Sequence, residues 1–401
     1  MYINREFAFF TRNEPSSLLP KREFAQHLTM LGFFLLKNGT ILNCLFQTST
    51  NTSDTSNKNM THTITVLPSN DTFPIEANET ILDAALRANV ILPYGCKDGA
   101  CGSCKSVIVS GDVVHSEHSN AISAEEKSRG VALMCHSTVT SDVTVEARVI
   151  AAGAYPIKKL PTRITSMQRA KDAGDIMLVT LQLPANDAFE YRGGQYIDFI
   201  LRDGARRSYS MACAPRLADK VLELHIRHMP GGVFTDQLFS SMKERDILRV
   251  EGPLGTFFFQ DTGKDLIFIA SGTGFAPIKA IVEEMQSNYI IRPVSFYWGV
   301  RRPHDLYLNE LAEQWARDIP NFKYIPVISD AEPEDNWQGR AGLVHQAVMA
   351  DFSDLSEHDV YACGAPAMVR AAHDAFTTHH HLKENSFFSD AFLSAADKNK
   401  A

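Results

Sequence analysis

The sequence predicts a multidomain chain, part α+β and part α/β: a small mixed unit, an antiparallel barrel and a doubly wound parallel sheet. Three observations carry this. A helix-and-strand segment over 61–152 holds three cysteines within nine residues, Cys96 to Cys104. Residues 157–260 alternate apolar and polar positions in short runs parted by Gly or Pro turns, the pattern of strands with one buried face. From 261 to 395 continuous apolar runs alternate with helical patterns, which calls for parallel strands joined by crossover helices.

A chain of 401 residues is long enough for two or three independent cores. The net charge of -8 argues against nonspecific nucleic-acid binding, which needs a basic face for the phosphates. Seven cysteines are too few for a disulfide-rich scaffold of this length. The apolar stretch Leu28–Leu36 is far short of the roughly 20 residues a spanning helix needs. Glu6, Glu14 and Glu23 precede it, against a signal peptide, so the expected location is cytoplasmic, with no membrane partner. Residues 1–60 end in a polar run, Gln47 to Asn59, that cannot bury enough apolar surface to offset its ordering entropy. Two readings stand side by side: translation opening at Met60, or a disordered extension.

In the first module, strands are expected at 62–67 and 72–76. Thr80 then caps a helix over 81–88 with an apolar face at Ile81, Leu82, Ala85 and Leu86. A strand over 105–109 turns at Ser110-Gly111-Asp112. Ser123-Ala124-Glu125-Glu126 forms a capping box for a short helix, and a last strand runs near 143–149 before the linker 151–156. Barrel strands are expected at 163–167, 176–183, 196–201, 207–211, 221–228 and 247–251. The third module reads as strand 266–270, helix 277–287, strand 294–299, helix 305–317, strand 323–328, helix 342–350, strand 358–362 and helix 365–376.

Cys96-x4-Cys101-x2-Cys104, with Cys135 thirty-one residues beyond Cys104, is the plant-type spacing for a [2Fe-2S] cluster. Two irons need four thiolates. A tight loop wraps one side of the cluster and a later strand end supplies the last ligand. Gly95, Gly99 and Gly102 let the backbone come close enough to aim amides at the sulfurs. Structural zinc sites favour two short hairpins of two cysteines each, whereas this chain offers three cysteines plus one.

The segment Pro93-Tyr94-Gly95-Cys96-Lys97-Asp98-Gly99-Ala100-Cys101-Gly102-Ser103-Cys104 closely resembles the ferredoxin module of NAD(P)H-dependent flavin and iron–sulfur reductases of the ferredoxin–NADP reductase superfamily. Similar chains are described as phenol hydroxylase reductase components or CDP-6-deoxy-glucoseen reductases. The resemblance spans 61 to about 395. It implies a β-grasp plant-type ferredoxin domain over 61–152, an FAD-binding barrel over 157–260 and an NAD(P)-binding domain over 261–395.

The remaining motifs extend the resemblance. Arg207-Ser208-Tyr209-Ser210 matches the family's Arg-x-Tyr-Ser element. A guanidinium suits a flavin phosphate, the Tyr209 ring suits stacking on the isoalloxazine, and the Ser210 hydroxyl its N5 edge. His225-Ile226-Arg227, followed by Gly231-Gly232-Val233 and Thr235, looks like the second flavin segment, a strand that turns through glycines into a helix whose amides hold the pyrophosphate. The plainer reading of His225, Arg227 and His228 is a solvated strand face. Gly252-Pro253-Leu254-Gly255 resembles the family's closing turn.

Gly272-Thr273-Gly274-Phe275-Ala276-Pro277 follows a buried strand and opens a helix, the setting in which a Gly-rich turn holds dinucleotide phosphates. Cys363-Gly364 ends a parallel strand, where ligands bind in such sheets; by resemblance the Cys363 thiol lies near the nicotinamide. A buried structural thiol is the bland alternative. Resemblance also suggests that Phe388 or Phe392 covers a flavin face. Ser329-Asp330 places a carboxylate where NADPH-specific relatives carry a basic residue, which favours NADH over NADPH, although Arg301 and Arg302 lie nearby. His379-His380-His381 reads as a solvated helix end rather than a metal site.

Together these readings describe an enzyme, an electron-transfer oxidoreductase, with Tyr209, Ser210 and Cys363 as its catalytic residues. It would move electrons from NADH through FAD to the cluster and on to a protein acceptor. The leaning is toward a CDP-6-deoxy-glucoseen (CDP-4-dehydro-6-deoxyglucose) reductase that serves a sugar dehydrase. The alternatives are the reductase component of a phenol hydroxylase-like oxygenase and, from another class, a cluster-based redox sensor.

Overall fold

The protein is described from a computed structural model covering residues 61–116, 121–150, 155–171, 173–215 and 220–393. The readings of residues 1–60 and of linker residues 151–154 lie outside the described residues. Among those described, no helix is long and apolar enough to cross a membrane.

The first sheet gathers β1 (His62–Leu67), β2 (Asp71–Ile75), β3 (Lys105–Ser110), β5 (Val131–Leu133) and β7 (Val143–Glu146) in the order β2-β1-β7-β3-β5; β4 (Val113–His115) and β6 (Ser137–Val139) pair separately. Only β1 and β7 run parallel within the sheet. Helix α1 (Ile81–Arg87) begins where Thr80 Oγ1 accepts the Asp83 amide at 3.1 Å. It lays Ile81, Leu82, Ala84 and Ala85 over Ile64, Val66, Phe73 and Val145. Helix α2 (Ala124–Ser128) starts from the expected capping box, with both reciprocal bonds formed.

The second sheet is antiparallel throughout: β8 (Lys158–Arg169), β9 (Ile176–Gln182), β10 (Tyr196–Ile200), β11 (Arg206–Ser210), β12 (Val221–Arg227) and β13 (Ile247–Leu254), in the order β11-β10-β13-β8-β9-β12. A bridge between Met211 and Leu224 joins the two edge strands, so the sheet closes on itself. Its interior holds Ile164, Leu181, Ile197, Phe199, Leu222 and Val250. Helix α3 (Val233–Ser240) follows β12 through the Gly231-Gly232 turn.

The third sheet is parallel: β14 (Asp265–Ser271), β15 (Val294–Val300), β16 (Phe322–Ile328), β17 (Arg340–Ala341), β18 (His358–Gly364) and β19 (Phe387–Ala391), in the order β17-β16-β15-β14-β18-β19. Helices α4 (Phe275–Ser287) and α5 (Asn309–Asp318) share the core on one face. Helices α6 (Val344–Asp351) and α7 (Pro366–His379) share the core on the other. Strand order reverses between β14 and β18, which places the ligand crevice at their C-terminal ends.

Several elements differ from expectation: β4, β5, β6 and β17 have no expected counterpart, and β8 begins at Lys158 rather than 163. Helix α5 opens at Asn309, not 305, because Leu306 and Tyr307 turn into the core instead of continuing a surface helix. The aromatic chain end forms the edge strand β19 beside β18. Helix α4 fastens the third sheet to the barrel: Glu284 accepts from Arg192 Nε at 2.6 Å, Lys279 Nζ donates to Ala212 O at 2.8 Å, and Glu283 accepts the Ala214 amide at 3.0 Å.

Candidate functional site

All three modules border one cleft of about 840 Å3, the first of them through its cysteine loop alone. Strand β11 and the β12–α3 turn form its barrel wall, the turns after β14 and β18 its nucleotide wall, and Cys96, Asp98 and residues 390–393 its third side.

The cysteine loop approaches this third side with its sulfurs sorted into two pairs. The amides of Asp98, Ala100 and Cys101 point at Cys96 Sγ, each at 3.4 Å, and the Cys96 amide points at Cys101 Sγ at 3.5 Å. Cys104 and Cys135 lie with their sulfurs 3.2 Å apart, well beyond a disulfide bond. Among the described residues no three His, Cys, Asp or Glu side chains gather as around a single ion. Two sulfurs to each side is the division that two irons require. Three of the four cysteines are buried and Cys96 is half-buried. Gly99 and Gly102 adopt φ of 68° and 80°, which wraps the loop tightly enough to aim its amides inward. Four thiols, a nest of amides and an apolar surround fit a [2Fe-2S] cluster held by Cys96, Cys101, Cys104 and Cys135.

On the barrel wall, Arg207, Ser208, Tyr209 and Ser210 all line the cleft. The Tyr209 ring is wedged against Phe199 and Phe234, with centroids 5.7 and 5.5 Å away, so its orientation is fixed before any ligand arrives. Gly231 and Gly232 line the cleft with Thr235, and the start of α3 carries no side-chain cap, which leaves amides for an anion. Arg227 also faces the cleft. It pairs with Asp175 at 3.3 Å and stands 3.6 Å from Asp305, yet its buried Nη2 has no hydrogen-bond partner. An orphaned guanidinium donor beside free helix amides fits the phosphates of FAD.

His225 lines the cleft, and the plainer reading of it as a solvated strand-face residue does not hold. Its ring is buried, with Nδ1 2.9 Å from the Tyr307 hydroxyl and Nε2 2.8 Å from Glu223. Burial lowers its pKa, against the pull of Glu223. Burial alone would raise the Glu223 carboxyl, but His225 and Lys279 outweigh it and hold the group down, from an ordinary 4.5 to about 2. A depressed carboxylate stabilises the fold above its unfolded pKa and loses that contribution as pH falls toward its folded value. The thermal midpoint is therefore expected to fall as pH is lowered from 4.5 toward 2. Glu223→Gln should start lower at neutral pH and fall less steeply, as read by thermal unfolding across that window.

On the nucleotide wall, Gly272 and Thr273 line the cleft in a single tight turn. Trp298 Nε1 donates to Gly272 O at 3.0 Å and pins it. Gly364 lines the cleft at the end of β18. Turn amides that open onto α4, again without a side-chain cap, suit a dinucleotide's phosphates.

Seven of the expected flavin and nucleotide residues do not reach the cleft. Ile226 points into the barrel core and Val233 outward to solvent. Pro277 is buried in α4, and Gly274 packs its α-carbon against the Cys363 backbone. The Cys363 thiol turns inward and donates to Gly274 O at 2.8 Å, so it braces the nucleotide turn from behind. Asp330 is exposed and outside the lining, whereas Ser329 and Arg301 line it. Phe388 stacks on Tyr361 at 4.5 Å, which leaves Phe392 as the aromatic at the cleft. The His379–His381 run ends α7; His380 bonds Phe352 O and His381 lies 3.8 Å from Asp354.

Sequence reasoning missed Asp390, a buried carboxyl that lines the cleft next to the cysteine loop. Burial first, then the nearby Cys101 and Asp98, pushes it up to about 8. Its only signal was an acid within an aromatic run.

Domain profiles match the chain in the order the geometry gives. The 2Fe-2S iron-sulfur cluster binding domain matches residues 64–140, the oxidoreductase FAD-binding domain 165–259, and the oxidoreductase NAD-binding domain 268–374. The chain is 41% identical over 327 residues to the CDP-6-deoxy-L-threo-D-glycero-4-hexulose-3-dehydrase reductase of Yersinia pseudotuberculosis, covering 81% of this chain and 97% of that one. It is 32% identical over 348 residues to the reductase component of phenol 2-monooxygenase from a Pseudomonas species, covering 84% and 96%. The crystal structure of an Amycolatopsis cytochrome P450 reductase superposes with a TM-score of 0.65 at 32% identity, covering 83% of this chain and 99% of that one.

Proposed function

The chain belongs to the NAD(P)H-dependent flavin and iron–sulfur reductases, oxidoreductases that join a ferredoxin-type, an FAD-binding and an NAD-binding module, and from that premise we propose that it supplies electrons to a sugar dehydrase acting on a CDP-6-deoxyhexulose. When bound, the flavin takes two electrons from the nicotinamide and the cluster passes them on singly. The chain's own residues set the geometry. Arg227 and the α3 amides hold the flavin phosphates. Tyr209 and Ser210 orient the flavin ring, and Phe392 borders the cleft where the nicotinamide approaches. The Gly272 turn holds the dinucleotide, and the four cysteines present the cluster at the cleft's third side. Cys363 shapes the nucleotide turn from behind.

The observation that carries the acceptor is the likeness to the Yersinia dehydrase reductase over 97% of that protein, 41% identity against 32% for the phenol monooxygenase component. The test is reconstitution. The purified protein, NADH and a CDP-6-deoxyhexulose dehydrase should yield the deoxygenated sugar. Coupling only to a phenol hydroxylase oxygenase would sink the reading. NADH reduction without transfer to any protein acceptor would favour a redox sensor. A cytoplasmic location belongs to the same proposal, supported by the acidic residues ahead of Leu28–Leu36.

NADH is the proposed donor. Asp330 sits at the rim, its amide 3.0 Å from Arg301 O, and disfavours a 2′-phosphate there. Arg301 opposes it from within the cleft. We expect kcat/KM to favour NADH over NADPH by about tenfold, the scale of a single charged contact. A preference for NADPH that disappears in Arg301→Ala would move the specificity to that arginine.

A further inference from the structure

We infer that Ser389 is a positioning residue for electron entry into the cluster: it clasps the cysteine loop to the edge strand of the nucleotide sheet. Ser389 sits on β19, 5% exposed. Its hydroxyl donates to the carbonyl of Cys101 at 3.1 Å. In return Ser103 Oγ donates to Ser389 O at 2.5 Å and lies 2.9 Å from Ser389 Oγ. Around this pair, Ala100 and Cys101 pack against Val369 and Ala391. Any side chain at Gly95 would place its Cβ 2.9 Å from Ser389 O, so the loop lies as close to β19 as backbone allows.

A second anchor holds the start of the same loop to the barrel. The Tyr94 amide donates to Thr256 Oγ1 and the Thr256 amide to Tyr94 O, each at 2.8 Å. The loop is thus tied to both halves of the cleft at once. The apolar contact alone is non-directional and tolerates sliding. The paired hydroxyls fix its register, because breaking it would leave buried polar groups without partners. Cys96 borders the cleft, so the register of the loop sets how near the cluster stands to the flavin. Ser389 itself lies outside the cleft lining and touches neither nucleotide nor flavin site. The inference rests on the path of the electrons and holds whichever protein accepts them.

The test compares the holoprotein with Ser389→Ala and Ser389→Thr. In anaerobic stopped-flow, flavin reduction by NADH should stay within about two-fold in Ser389→Ala, while subsequent cluster reduction slows. Amide exchange across residues 99–103 should accelerate by about five-fold, the scale of losing such bonds, with an unchanged electron paramagnetic resonance line shape. Ser389→Thr, which keeps the hydroxyl, should restore the exchange protection. Unchanged exchange and unchanged cluster reduction in Ser389→Ala would overturn the clasp, as would an equal slowing of both steps. Should Ser389→Ala fail to fold, Ser103→Ala removes the partner hydroxyl from the half-exposed side and is read by the same two rates.

Discussion

Cys101→Ser is expected to lower NADH-dependent cytochrome c reduction by about 100-fold or more, while NADH–ferricyanide activity stays within about two-fold of the parent. The asymmetry follows from where Cys101 stands. It supplies one sulfur of the Cys96–Cys101 pair, and the Cys96 amide points at that sulfur. A serine oxygen is a harder donor, poorly matched to this soft site. Residues of the flavin and nucleotide walls, Arg207 to Ser210 and Gly272 to Thr273, are untouched by the change. A two-electron outlet at the flavin should therefore survive while the one-electron outlet closes. The absorption spectrum should keep its flavin bands and lose the overlapping cluster bands. Equal loss of both activities would mean that the loop supports the flavin site and does not form a separate outlet.

Gly364→Ala is expected to cut kcat/KM for NADH by about 100-fold and to cost about 1–3 kcal/mol of stability. Gly364 adopts φ of 124°, open to glycine and strained for any L-residue. A Cβ there would run into the hydroxyl and the carbonyl of Ser271. Ser271 Oγ accepts the Ala365 amide at 2.8 Å, and Cys363 Sγ donates to Gly274 O. The turn after β18 therefore cannot shift without moving the turn after β14, and both line the dinucleotide crevice. Steady-state kinetics and thermal unfolding read the two effects. The cluster spectrum should not change, because the four cysteines lie on another module. Retained kcat/KM in a stable Gly364→Ala variant would remove the crevice from the NADH site.

What was legible in the sequence is what lies contiguous along it. The Cys96–Cys104 loop, Arg207–Ser210 and the turns at Gly231-Gly232 and Gly272-Thr273 are each complete within a few residues, and the structure brings these turns, Arg207–Ser210 and Cys96 of the loop to one cleft. Thr80 and the Ser123 capping box set their helix starts by local bonds, and both formed. What was not legible depends on partners far along the chain. His225 lines the cleft as its motif suggested, but its burial against Tyr307, 82 residues away, has no local signature. The Ser103–Ser389 clasp spans 286 residues and has no local signature. Phe388 and Phe392 could not be told apart until the register of β19 set Phe388 against Tyr361. The Cys363 thiol faces inward from a strand buried from Asp359 onward, a direction that strand-end position alone does not fix.

The central claim is that one chain receives electrons from NADH at the nucleotide crevice and delivers them to a cluster on Cys96, Cys101, Cys104 and Cys135. Its most direct test is anaerobic addition of NADH to the flavin- and iron-loaded protein, followed together by flavin absorbance and electron paramagnetic resonance. Loss of the oxidised flavin absorbance should come first. A resonance signal of a reduced [2Fe-2S] cluster should follow, at up to one spin per chain. Full flavin reduction with a cluster that stays oxidised and silent would contradict the account.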